Sequence, residues 1–141
     1  MKLAKITILC LMLSACNGFI NESLSVGYKS TGELDEIVKE SEQMFTGLGF
    51  SCSEIIAEKP NSSFSCVVKE DGNLGSRTVE IKALQVPEDS RLVFSLKDSS
   101  VTMIPSYMPE FWNDKVNALR ELAKLLRKKK HDFTYVPSTQ R

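Results

Sequence analysis

The sequence predicts an α+β fold. It is a two-layer sandwich in which an antiparallel sheet of about four strands carries an N-terminal and a C-terminal helix on one face (α-β-β-β-β-α). Three observations predict it. Apolar residues recur at helical spacing after Ser30, then alternate with polar residues in short runs separated by turn sequences, then return to helical spacing near the C-terminus. Short turns between the strands make neighbours antiparallel. One apolar face per strand places both helices on the same side of the sheet.

The first helix starts at Ser30-Thr31-Gly32-Glu33, which has the capping-box form of Ser with Glu three residues on. Leu34, Ile37, Val38, Ser41, Met44, Phe45 and Leu48 share one face, and Glu33, Asp35 and Glu36 sit in the first turns, where the helix dipole favours negative charge. Gly47 and Gly49 supply the stop. A hairpin follows. Phe50, Cys52 and Glu54 alternate with Ser51, Ser53 and Ile55; after the turn sequence Glu58-Lys59-Pro60-Asn61, Phe64, Cys66 and Val68 alternate with Ser65, Val67 and Lys69. Folding the chain about position 59 puts Cys52 opposite Cys66 and Phe50 opposite Val68. Asp71-Gly72-Asn73-Leu74-Gly75 is a second turn, and residues 78–86 form a strand with Val79, Ile81 and Ala83 on one side. Pro87-Glu88-Asp89-Ser90 turns again into a fourth strand carrying Leu92, Phe94 and Leu96. Residues 101–104 either continue that strand past Asp98-Ser99-Ser100 or form a short fifth one. The open face of this sheet is expected to show Ser51, Ser53, Ser65, Lys69, Glu80, Lys82, Ser95 and Lys97.

The last helix opens at Pro109 or Glu110. Its stripe is Trp112, Val116, Leu119, Leu122, Ala123 and Leu126, with Phe111 and Leu125 at the margins. Arg127-Lys128-Lys129-Lys130 closes it, where cations suit the carbonyl end. The same basic run is a candidate contact for anionic lipid head groups, at about 1 kcal/mol per basic residue near a charged surface. Tyr107 and Met108, between Pro105 and Pro109, suit either a partner-binding spot or the core beneath the helix start.

The N-terminal segment is a different kind of sequence. Lys2 and Lys5 precede an almost unbroken apolar run at residues 6–13, about half of the roughly 20 residues a membrane-spanning helix needs. A basic start, a short apolar core and small residues after it describe a secretory signal peptide. Its end, Leu13-Ser14-Ala15-Cys16, resembles the lipobox of bacterial lipoproteins. The resemblance covers residues 1–16 only. It implies a diacylglyceryl group on the Cys16 thiol, cleavage before Cys16, and a mature protein held at a membrane from the periplasmic side. The absence of Asp at position 17 implies, for an enteric bacterium, the outer rather than the inner membrane. The expected organisation is therefore a signal peptide at 1–15, a lipidated Cys16 and tether to residue 30, one α+β domain at 31–131, and a tail at 132–141. Within the tether, Ile20, Leu24, Val26 and Tyr28 alternate loosely, which allows a short strand docked on the domain.

Removing residues 1–15 leaves 126 residues, enough for one domain and its core. Lys2 and Lys5 leave with that segment, taking 18 basic residues to 16 against 18 acidic, a net charge of −2. Residues 16–75 hold 4 basic and 10 acidic residues, whereas residues 76–141 hold 12 and 8. A dipolar chain of this kind lacks the basic face that nucleic acid requires. Cys10 lies in the discarded run and Cys16 is assigned to lipid, which leaves Cys52 and Cys66 as an even pair in an exported protein. Opposed strand positions bring their side chains to about 5 Å. Closing this 15-residue loop as a disulfide stabilises by about 3 kcal/mol in the chain-entropy model. Two cysteines without His or Cys companions make a poor metal site, and no cofactor motif is present.

The residues carry no catalytic constellation. His131 is the one histidine, and it is expected on the solvated surface; a hydrolase would need it beside a buried Ser or carboxylate. The reading is a non-enzymatic envelope lipoprotein that binds another envelope protein, as an assembly factor, a secretion-system component or a toxin-immunity protein. The alternative is a periplasmic small-molecule or cell-wall ligand binder, for which a deep apolar cleft between helices and sheet would speak.

Overall fold

A computed structural model of the chain describes residues 18–54, 63–72, 75–102 and 113–138. In chain order the elements are β1 (Gly18–Gly27), α1 (Thr31–Gly47), β2 (Ser51–Glu54), β3 (Ser63–Gly72), β4 (Gly75–Val86), a 3-10 turn (Pro87–Asp89), β5 (Arg91–Thr102), α2 (Asn113–Val116), α3 (Ala118–Lys128) and β6 (Phe133–Val136). The strands form one antiparallel sheet in the order β2-β3-β4-β5-β1-β6. α1 packs on β2 and β3 and α3 on β1 and β6, so the helices make a second layer.

The α+β class and the antiparallel sheet agree with the sequence, but the sheet has six strands rather than four. The two additional strands come from segments expected to be tether and tail. Between β5 and β6, β1 pairs with the first from Gly18↔Ser100 to Gly27↔Arg91 and with the second from Ser23↔Val136 to Val26↔Phe133. The loose alternation at residues 20–28 is thus a full interior strand. At the far edge, β6 is four residues long and stops before Pro137, which has no N–H for a ladder. No kink interrupts β5 at Asp98-Ser99-Ser100; it runs on through Val101 and Thr102. The C-terminal helix breaks at Asn117 into a single turn, α2, and the longer α3. Its expected opening at Pro109 or Glu110, and Trp112, lie outside the described residues.

The α1 start follows its sequence signal. Ser30 is extended (φ −147°, ψ 160°) and its Oγ accepts a hydrogen bond from the Glu33 N–H at 3.2 Å. The Glu33 carboxylate reaches back one residue further than in the usual box and accepts from the Lys29 N–H at 2.8 Å. At the other end Gly49 takes φ +96°, and Phe50 N–H returns to the Phe45 carbonyl at 3.0 Å. This reversal drops Phe50 onto Phe45, edge to face at 6.0 Å; Phe45 and Phe64 both meet Phe94 at 6.1 Å. Around these rings Leu24, Ile37, Ile81, Leu92, Leu96, Leu119 and Leu122 are fully buried. Each such side chain contributes about 1.5–3 kcal/mol on leaving water. These rings and side chains form the core between the helices and the sheet.

Candidate interaction surfaces and polar clusters

The expected cysteine register is present. Cys52 and Cys66 are direct partners in the β2–β3 ladder, with Cα atoms 4.0 Å apart, and their sulfurs are bonded. The bridge fastens the four-residue edge strand β2 to its neighbour. Cys66 is wholly buried, and Thr46 at the end of α1 lies 3.9 Å from the Cys52 sulfur.

On the sheet face away from the helices, Ser51, Ser53, Lys69, Lys82, Ser95 and Lys97 are exposed and Ser65 and Glu80 half-buried, as the alternation requires. The registers add something that alternation within single strands does not show. Val136, Ser23, Ser95, Lys82, Ser65 and Ser53 lie in one row across all six strands. Four of the six are serines, so most of the row is short side chains. Leu84 and Val136, 46% and 55% exposed, are the large apolar side chains most open to solvent among the described residues. Charge on this face is of mixed sign: Lys82 meets Glu80 at 3.2 Å and Lys69 meets Asp71 at 3.5 Å.

A depression of about 310 Å³ opens where the end of β1, the 3-10 turn, the start of α1 and the α3–β6 connection meet. Arg91 forms one wall, held by hydrogen bonds to Ser25 Oγ at 2.5 Å and the Ser25 carbonyl at 2.9 Å, with Asp132 3.8 Å away. His131 forms another. Its side chain is only 12% exposed, and its Nδ1 lies 3.2 Å from Glu33 Oε1. The expectation of a solvated histidine is therefore corrected. The α3 C-terminus turns His131 inward, and α1 brings a capping carboxylate over it. Among the described residues, its contact with a charged partner is this one to Glu33. Lys29, Lys130 and Asp89 complete a rim of both signs.

Two polar clusters lie on the helix-covered face. Arg77 grips Asp98 with two parallel bonds, Nε–Oδ1 at 3.0 Å and Nη2–Oδ2 at 2.7 Å, with side chains 11% and 5% exposed. Glu22 is 3% exposed and accepts a hydrogen bond from the Tyr135 hydroxyl at 2.8 Å. The Tyr135 phenol is held above its ordinary value of 10.0, first by burial, then by the hydrogen bond to Glu22 and its negative charge; Arg120 pulls the other way. Composition alone did not mark these residues. What could have found Glu22 is its position two residues before Leu24 and four before Val26, on the apolar side of a strand.

Of the sites named from sequence, Cys16, Tyr107 and Met108 lie outside the described residues. The basic run is resolved into separate roles. Arg127 stacks over the Phe133 ring at 5.8 Å. Lys128 is exposed. Lys129 pairs with Glu40 and lies 3.9 Å from Glu36, tying α3 to α1. Lys130 has a positive φ of 62° and lines the depression.

Neither a protein-family profile nor a curated protein matches the sequence. Among solved structures, the vertebrate conserved region of human METTL16 is similar with a TM-score of 0.34 and 10% identity, over 72% of this chain and 75% of that one. LpqN of Mycobacterium tuberculosis, involved in cell envelope biogenesis, is similar with a TM-score of 0.34 and 13% identity; 84% of this chain is covered, and 62% of LpqN. Likenesses at this TM-score carry no functional argument.

Proposed function

We propose that the protein is an exported envelope lipoprotein, anchored through Cys16, that works by binding another protein rather than by catalysis. Export and anchoring are supported by Leu13-Ser14-Ala15-Cys16 and by the Cys52–Cys66 bridge, a bond that persists in oxidising compartments. The single observation that carries the binding reading is the contrast between its surfaces. The outer sheet face runs across six strands and carries exposed and half-buried side chains. Among the described residues, the phenylalanine cluster fills the layer between the helices and the sheet. The 310 Å³ depression is at the small end for a ligand site, and charged side chains of both signs stand in its lining.

A photo-crosslinking residue at Ser95, in the middle of the serine row of the full-length protein in its native envelope, is the test. A discrete adduct that disappears with Lys82→Glu is expected. No adduct from Ser95, Lys97 or Ser53 overturns the outer face as the contact surface. In parallel, Cys16→Ser is expected to leave an uncleaved chain without lipid, and unchanged membrane partition in that variant rejects the anchor.

A further inference from the structure

We propose that this protein has no tether, and that its sheet is seated end-on against the bilayer, with the charged depression held at the opposite end. The inference rests on the lipid-anchor reading for Cys16. It follows from where the first strand begins.

One residue, Asn17, separates Cys16 from the first paired position: β1 is already paired with β5 at Gly18, opposite Ser100. Consecutive Cα atoms are 3.8 Å apart, so Cys16 stays within about 8 Å of the sheet end. A thioether-linked diacylglyceryl group puts Cys16 at the head-group level. The fourteen-residue spacer expected from the sequence is consumed by the ladder, and the domain has no slack with which to rise. The strand ends at the level of Gly18 are then the surface facing the lipid. The ladders name them: Ser100 and Thr102 at the end of β5, Gly75 opposite Thr102, and Gly72 opposite Gly75.

The other end of β1 is Gly27, opposite Arg91. Its N–H is bonded to the Asp132 carbonyl at 2.9 Å, which fixes the α3–β6 connection there. Ten strand residues at about 3.3 Å each separate the two ends by about 30 Å. Even with the strand tilted by about 45°, the far end stands about 20 Å above the lipid, more than two Debye lengths at physiological ionic strength. Two consequences follow. The depression formed by Arg91, His131 and Lys130 opens toward the aqueous compartment. Arg127, Lys128, Lys129 and Lys130 sit at this far end too, so they do not meet the head groups of the membrane that carries the anchor.

The experiment uses the full lipidated protein in vesicles of phosphatidylethanolamine and phosphatidylglycerol. A fluorophore is placed either at Asp71→Cys, exposed near the Gly72 end, or at Lys128→Cys, exposed at the far end, with Cys52–Cys66 left joined. Energy transfer to a head-group acceptor is read. The expected result is several-fold stronger transfer from position 71 than from position 128. A flexible ten-residue Gly/Ser insert after Asn17, with an r.m.s. reach of about 17 Å, should reduce the signal from position 71 toward that from 128. Lys128→Glu combined with Lys130→Glu should leave vesicle partition unchanged. If the protein floats with the vesicles but both positions transfer equally, or position 128 transfers more, the end-on seating is wrong and the anchor stands. If it does not float and Cys16 carries no added mass, the anchor itself is wrong and the seating falls with it.

Discussion

Glu22 takes a carboxylate into the helix-covered face of the sheet, where an unpaired charge is expensive. The Tyr135 hydroxyl donates to it across 113 residues of sequence, and this contact gives the domain an alkaline pH dependence. A phenol whose folded-state value is raised adds stability that is complete below its ordinary 10.0 and disappears as pH climbs through the raised value. Thermal unfolding followed from pH 8 upward is therefore expected to show a decline beginning near pH 10 that is shallower in Tyr135→Phe. At neutral pH that substitution removes a donor from a buried carboxylate and should cost about 1–3 kcal/mol. An identical alkaline limb in the two proteins refutes the assignment. The Arg77–Asp98 fork is a second buried polar pair on this face. Its two charges are tolerable in the interior because each satisfies the other.

The elements end where their backbone geometry can be satisfied. At the end of α3, the Lys130 N–H bonds the Arg127 carbonyl at 3.1 Å and the His131 N–H bonds the Leu126 carbonyl at 3.0 Å. This is a Schellman closure, in which the left-handed position is usually Gly; here it is Lys130 at φ 62°. The closure is what turns His131 under Glu33. Lys130→Gly relieves the left-handed strain and is expected to stabilise by up to about 1 kcal/mol, read as a higher denaturant midpoint with an unchanged slope. A lower midpoint overturns that view of the cap. Both edge strands, β2 and β6, are four residues long, which leaves little unpaired ladder for a second sheet to join.

At the scale of the whole molecule, β1 closes the fold, because it is an interior strand and the N-terminus of the sheet at once. Removing residues 1–17 should leave cooperative unfolding intact. Removing residues 1–27 should abolish it, since β5 and β6 then lose their common partner. Reducing Cys52–Cys66 should lower stability by about 3 kcal/mol and leave the fold in place; circular dichroism and denaturant titration separate these outcomes. Local signals made most of the rest legible. α1 announced itself through its cap and stripe, and the β2–β3 register followed from a hairpin whose partners lie 14 residues apart at the cysteines. β1 was obscured because Glu22 breaks its apolar alternation and because its partners, Ser95 and Val136 at Ser23, lie far along the chain. His131 was misplaced for the same reason. Its burial depends on α1, nearly 100 residues earlier, passing over the end of α3.

The amino-acid pattern alone determined the class of fold, the order of its middle elements and the cysteine register, since period, turn chemistry and capping act over a few residues. Only the tertiary structure decided that the first and last segments are strands, which carboxylates are buried, and at which end of the sheet β1 begins. Those outcomes depend on hydrogen-bond ladders and ion pairs between segments that no short-range signal connects.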